Sequence, residues 1–181
     1  GLRLLDVGDV GGLELDDIGR LRSDAAGARL RASSPSVRPV REPDLVVLAP
    51  ARCEQLDATR ELVPPGVPYL LAEVRDTVGV VGPLVLPGRS ACLRCLDLTR
   101  TDLDPGWPAL AVQLASPSRQ ADACDGPLAV MVAGQAALQV LLLLDGTADP
   151  AAVGGTLELA LPDWRWRRRS WPLHPACGCA T

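Results

Sequence analysis

The chain has 181 residues, 48% of them hydrophobic, and a formal net charge of −4. That length suits one domain with a substantial core, and the acidic balance favours neither nucleic acid nor an anionic membrane as partner. All 18 basic residues are arginine, which excludes lysine chemistry, whether a Schiff base or a P-loop lysine.

In chain order, residues 2–6 (Leu-Arg-Leu-Leu-Asp) read as a short buried strand closed by Asp6. A strand so near the first residue leads us to expect further sequence upstream. Residues 7–19 are rich in glycine and aspartate, but Gly8, Gly11 and Gly12 lack the G-x-G-x-x-G spacing of a phosphate cradle, so a loop is expected. Residues 16–32 have the composition of one or two short helical pieces, ended by Pro35 and Pro39. The unbroken apolar run of residues 44–50 predicts a central strand covered on both faces. A helix over 51–63, a rigid turn at 64–68 and a strand at 69–74 then predict a strand–helix–strand crossover in a doubly wound parallel sheet.

From residue 76 the texture changes to short strands and turns. Residues 79–86 are extended, Pro87-Gly88 reads as a hairpin turn, and a second extended piece at 90–92 delivers Cys92. Residues 99–117, around Trp107, predict a polar excursion over the surface. Residues 127–144 form the longest apolar run, near the lower length limit for a membrane span. Gln135 and Gln139 lie inside it, Asp125 and Asp145 flank it and no arginine sits at either end, so a buried helix is predicted, with Pro127 in its first turn and Gly146 past its end. Residues 155–161 and 164–171 predict two alternating strands around Pro162-Asp163. Their arginines are expected on one solvated face, a nucleotide or peptide contact being the other reading.

Four of the six cysteines form two close pairs, Cys92 with Cys95 and Cys177 with Cys179. Two such knuckles far apart in a chain can close a tetrahedral zinc site and pin the tail to the middle of the fold. The second pair has a single spacer residue, which Gly178 makes sterically feasible. Disulfides or unligated thiols are the alternative. His174 is near enough to be a substitute ligand, but with four cysteines present a structural neighbour is expected. Cys53 falls outside the pattern and is expected in the core. The first residues show no basic leader with an apolar stretch, so a cytoplasmic location, where thiols stay reduced, is expected.

Taken in succession, several stretches resemble the ThiF/MoeB superfamily, the adenylating proteins related to ubiquitin-activating enzymes. They are Leu4-Leu-Asp6 followed by Val10, the strand at 44–48, Gly66-Val-Pro68, Gly82-Pro-Leu-Val-Leu-Pro-Gly88, Cys92-x-x-Cys95, Cys124 ahead of a helix carrying Gln135-Ala-Ala-Leu-Gln139, and His174-Pro-Ala-Cys-Gly-Cys179. The resemblance covers residues 1–181, beginning at the family's second strand. The Trp-Pro-x-His-Pro-x-Cys-x-Cys close and the Cys-Leu-Arg-Cys-Leu-Asp-Leu stretch look most like the ThiF-like components of azoline-forming peptide-modification systems.

The resemblance implies an α/β fold, a partial Rossmann-like parallel sheet followed by antiparallel hairpins and a zinc knuckle. It also implies a single domain, 1–181, with a nucleotide-binding portion over 1–75 and a zinc-bearing, long-helix portion over 76–181. Asp6 matches the acid that hydrogen-bonds the ATP ribose, and Arg29 is the available match for the basic residue, usually lysine, on the following helix. The glycine-rich phosphate loop would lie upstream of Gly1. Where the family places an aspartate for magnesium, this chain has Leu48-Ala-Pro-Ala-Arg-Cys53. Cys124 stands near the position from which relatives attack an activated acyl group, ahead of a helix N-terminus that lowers a thiol pKa. Asp122 and Asp125 would raise it again, so a structural free thiol is preferred to the nucleophile.

Two functions follow. One is a zinc-stabilised scaffold that serves a peptide substrate and an ATP-using partner enzyme in cyclodehydration. The other is an active enzyme that adenylates the carboxylate terminus of a peptide or carrier protein with ATP and Mg2+. The missing acidic ligand favours the scaffold. A homodimer is expected because a helix as apolar as 127–144 needs cover on every side, and neither nucleic acid nor membrane is expected as partner.

Overall fold

The chain divides after Glu42 into two units, Gly1–Glu42 and Pro43–Thr181; the computed structural model describes residues 15–38, 40, 42–49, 62–75, 77–115 and 125–179. The strand expected at 2–6, the loop at 7–14 and nearly all of the helix expected over 51–63 lie outside these residues, as do Asp6, Cys53 and Cys124.

In the first unit the expected helical pieces are a 3-10 turn, Leu15–Asp17, and a helix α1, Arg22–Ser33. Asp17 is 1% exposed, and a carboxylate so placed needs cationic partners. It has two. Arg20 Nη1 donates to Oδ1 at 2.5 Å, and Arg29 donates to Oδ2 from Nη2 at 3.0 Å and from Nε at 3.2 Å.

The second unit is built on a five-stranded sheet in the order β1 (Val46–Leu48), β2 (Tyr69–Arg75), β3 (Val78–Val85), β4 (Gly155–Ala160) and β5 (Arg165–Ser170). Only β1 and β2 run parallel; every later neighbour is antiparallel. Together they make a mixed α/β sheet among the described residues: the parallel pair agrees with the parallel pairing expected over 44–74, and the turn to antiparallel strands comes after Arg75, where the texture of the sequence changes. The reason is local. Too few residues separate Arg75 from Val78 for a crossover, which takes a dozen or more, so the chain must fold back as a hairpin. The apolar run at 44–50 supplies only a three-residue strand. Its Val47 is 47% exposed, so the described residues do not cover it on both faces.

Among the described residues this unit also holds α2 (Leu93–Leu103), α3 (Trp107–Ala115) and α4 (Gly126–Asp145). The first two correct the reading of residues 90–117. The turn at Pro87-Gly88 leads into α2 rather than into a second hairpin strand, because residues 93–103 contain neither glycine nor proline and place Leu93 and Leu96 on one face, both buried. The expected surface excursion takes in the end of α2 and then α3, with Pro108 in the first turn of α3, where a missing N–H costs nothing.

α4 begins and ends where the sequence predicts, with Asp125 at its N-cap and Gly146 left-handed at φ 62° just past its end. It is not a buried helix. One stripe, Leu128, Val132, Ala136 and Gln139, is buried against β2 and β3, whereas Val130, Leu138 and Leu141 are 58%, 48% and 53% exposed. A single sheet covers a single face of a helix. The stripe joins Leu70, Ala72, Val81, Leu84, Leu157 and Leu159 in the main core, where each large apolar side chain contributes about 1.5–3 kcal/mol by leaving water. Gly79 lets the helix approach: a Cβ there would lie 2.4 Å from Val132 Cγ2. Gln139, 2% exposed, serves the polar backbone, since its Oε1 accepts from the Ala152 N–H at 2.9 Å just ahead of β4.

Candidate metal centre

The opposite face of the sheet carries a second core of Leu48, Tyr69, Leu71, Val85 and Leu93. Beside it lies a third cluster, Ala91, Cys95, Leu96 and Trp171, against which Cys92, Cys177 and Cys179 pack. This is where the tail meets the middle of the chain.

The first knuckle is set by a tight turn. Ser90 N–H donates to Leu86 O at 3.0 Å, and Leu86 N–H donates to the buried Ser90 Oγ at 2.8 Å. The chain then enters α2 with Cys92 at the N-cap and Cys95 in the first turn, so both sulfurs sit at the positive end of the helix dipole, which favours thiolates. The second knuckle arrives on a guided path. Trp171 N–H donates to Gly154 O at 2.8 Å, and its indole Nε1 donates to Thr156 Oγ1 at 3.0 Å. Cys177 N–H then donates to His174 O at 3.0 Å, and Gly178 adopts φ 73°, as its short spacer demands.

The four sulfurs lie within 4.8 Å of one another. Cys92 and Cys177 are 3.5 Å apart, Cys95 and Cys179 3.4 Å, and Cys92 and Cys95 3.9 Å. A tetrahedron with metal–sulfur bonds of about 2.3 Å has sulfur–sulfur edges of about 3.8 Å, so the donor set and its size fit one metal ion. All four are free thiols, which removes the disulfide alternative.

His174 is a neighbour rather than a ligand. Its backbone N–H donates to Cys95 Sγ at 3.4 Å, its Nδ1 accepts from Ala176 N–H at 3.1 Å, and its Nε2 lies 2.9 Å from Asp102 Oδ2. With Nδ1 accepting, Nε2 carries the proton and donates to Asp102. The tail is thus fastened to α2 at both ends of its reach.

Electrostatics distinguish the thiols. Burial pushes Cys95 up, but hydrogen bonds from the His174 and Cys92 backbone N–H groups and from the Cys179 and Cys177 thiols outweigh it and bring its pKa to about 7. Burial, followed by donation to Cys92, pushes Cys177 up; burial, followed by donation to Cys95, does the same for Cys179. A bound cation would displace the protons that burial keeps on Cys177 and Cys179.

Several supporting residues escape a reading of the sequence alone. The Arg100 guanidinium lies 4.7 Å from the Trp107 ring centroid and 5.1 Å from that of Trp171, and pairs with Asp97 at 3.5 Å. The helical spacing of Cys95, Thr99 and Asp102 is the signal that the sequence offers for α2. Arg29, the candidate phosphate ligand, holds Asp17 in the first unit.

No protein-family model matches the chain, and no curated protein matches it. Solved structures do. The microcin C7 biosynthetic enzyme MccB in complex with N-formylated MccA aligns at TM-score 0.68 and 15% identity over 94% of this chain and 55% of that one. E. coli MccB with ATP aligns at TM-score 0.66 and 15% identity over 94% of this chain and 53% of that one. PaaA aligns at TM-score 0.59 and 20% identity over 87% of this chain and 57% of that one. The chain therefore spans a little over half the length of each of these proteins, and over that span it has their fold.

Proposed function

We propose that this chain is a zinc-stabilised, ThiF-like scaffold that works beside an ATP-using enzyme in peptide modification of the azoline-forming, cyclodehydrating kind. The observation that carries the reading is the four-cysteine cluster seated on a fold shared with MccB, a biosynthetic enzyme determined with ATP and with N-formylated MccA. Zinc is the cation of choice for four thiolates in a closed tetrahedron. A scaffold is favoured over an adenylating enzyme because Leu48 and Ala49 stand at the end of β1, where the resemblance expects an acidic magnesium ligand. Asp6 for the ribose, Arg29 for a phosphate and Cys124 for acyl transfer belong to the adenylating alternative. The cytoplasm suits reduced thiols, and the exposed stripe Val130, Leu138 and Leu141 supports a homodimer through α4.

The test is paired. The zinc-loaded chain should give no carboxylate-dependent exchange of pyrophosphate into ATP. Added to an ATP-using enzyme encoded beside it, it should raise peptide-dependent ATP hydrolysis, and Cys177→Ser should abolish that effect. Robust exchange by the chain alone, lost in Asp6→Ala, would replace the scaffold with the adenylating enzyme.

A further inference from the structure

The outer edge of β5 is the feature that neither the zinc centre nor the nucleotide question uses. β5 ends the sheet, pairing with β4 alone among the described residues. Such an edge presents a row of backbone donors and acceptors, and proteins blunt it with bulges, prolines, short strands or charge. The first three devices are missing here. β5 pairs with β4 in unbroken register over all six of its residues, contains no proline, and is as long as β4. Charge remains, and it is of one sign: Arg165, Arg167, Arg168 and Arg169 occupy four of the six positions.

The arginines are ordered by the pleat. Arg165, Arg167 and Arg169 lie opposite Ala160, Glu158 and Thr156, so all three project to one face at the two-residue period of a strand. Arg167 and Arg169 are 61% and 60% exposed although each already touches a carboxylate, Asp163 and Glu158 respectively. Arg168 projects to the other face, where it donates to Ala151 O at 2.8 Å and Val153 O at 3.1 Å. Three guanidinium groups on one face thus share the carboxylates of Asp163 and Glu158, with a fourth, Arg168, on the other face, a local cationic excess on a chain whose net charge is −4.

We infer that the β5 edge is a docking site for an acidic, extended peptide segment, which adds as a further strand and places a carboxylate at every second residue against Arg165, Arg167 and Arg169. Backbone pairing supplies affinity, and the period-two arginine row supplies selection by sign and spacing. A basic strand, a second copy of β5 included, is repelled by the same row, so the edge is disfavoured for self-association and favours an acidic partner. This deepens the peptide-partner part of the proposed function and requires neither nucleotide nor zinc chemistry, so its failure would leave the zinc and exchange experiments untouched.

The experiment uses the full, zinc-loaded chain and two labelled peptides of identical composition. In one, glutamate alternates with valine and threonine; in the other, the glutamates form a single block. Anisotropy titration should give the alternating peptide at least about tenfold tighter binding. Its binding should slow amide hydrogen exchange at residues 165–170, and N-methylation of its backbone should remove it. Arg165→Glu with Arg167→Glu should weaken binding by about tenfold or more while metal content and melting temperature hold, and should raise the affinity for the matching alternating lysine peptide above that of the unaltered chain. Equal affinity for the alternating and block peptides would reduce the effect to diffuse electrostatics and overturn the inference. So would unchanged binding by the double variant, or absence of binding by either peptide.

Discussion

Removing the metal should cost this fold far more than removing any one hydrogen bond around it. The cluster ties Cys95 to Cys179, 84 residues later. Closing a loop of that length in the unfolded chain is worth about 4.5 kcal/mol by the chain-entropy relation, a large share of the roughly 5–15 kcal/mol that holds a typical domain together. For a chain of this size each kcal/mol moves the melting temperature by about 2–4 °C, so chelation should lower it by about 10–15 °C. The remaining anchors of the tail, the Trp171–Thr156 and His174–Asp102 contacts, act only after the tail has arrived and cannot replace that entropy term. The assay is a calorimetric melt of the protein with one zinc per chain, before and after a chelator, alongside Cys177→Ser. The variant should lose metal and at least half of the same increment, since three thiolates hold zinc less well than four. An unchanged melt in protein shown by elemental analysis to be metal-free would refute the tether.

Metal affinity should rise with pH, because uptake displaces protons from thiols that burial holds protonated, Cys177 and Cys179 among them. The lowered pKa of Cys95 contributes stability to the metal-free fold that is complete above the ordinary thiol value of 9.0 and lost as pH falls through about 7. Competition with a colorimetric chelator from about pH 6 to about pH 8 should therefore show steadily tighter binding, and a flat profile would mean that thiolates are not the ligands. Gln139→Leu makes α4 more apolar yet should destabilise the protein by about 1–3 kcal/mol, because the buried Ala152 N–H loses its acceptor. Denaturant melts showing equal or greater stability would contradict the role given to that amide.

The strength of the local signal decided what could be read in advance. The ends of α4 were legible because a proline in the first turn and a closing glycine mark them chemically, whatever the helix packs against. The cysteine pairs were legible because two knuckles have few uses other than one metal. The β4–β5 hairpin announced itself by alternation around a turn. What escaped was set by partners distant in sequence. That residues 44–50 give a short strand with Val47 exposed depends on what lies over each face, which an apolar run does not disclose. The exposed side of α4 escaped for the same reason, since apolarity all round reads as burial all round. The helical state of residues 93–103 escaped because the stretch from residue 99 was expected to run over the surface as a polar excursion, and the Arg100–Trp171 stack joins side chains brought together only by the fold. Sequence alone determined which atoms were available to bind a metal and where the chain could turn. Only the tertiary structure decided that the four sulfurs converge at 3.4–3.9 Å and that one edge of the sheet ends in arginines, because both depend on packing between segments far apart in the chain.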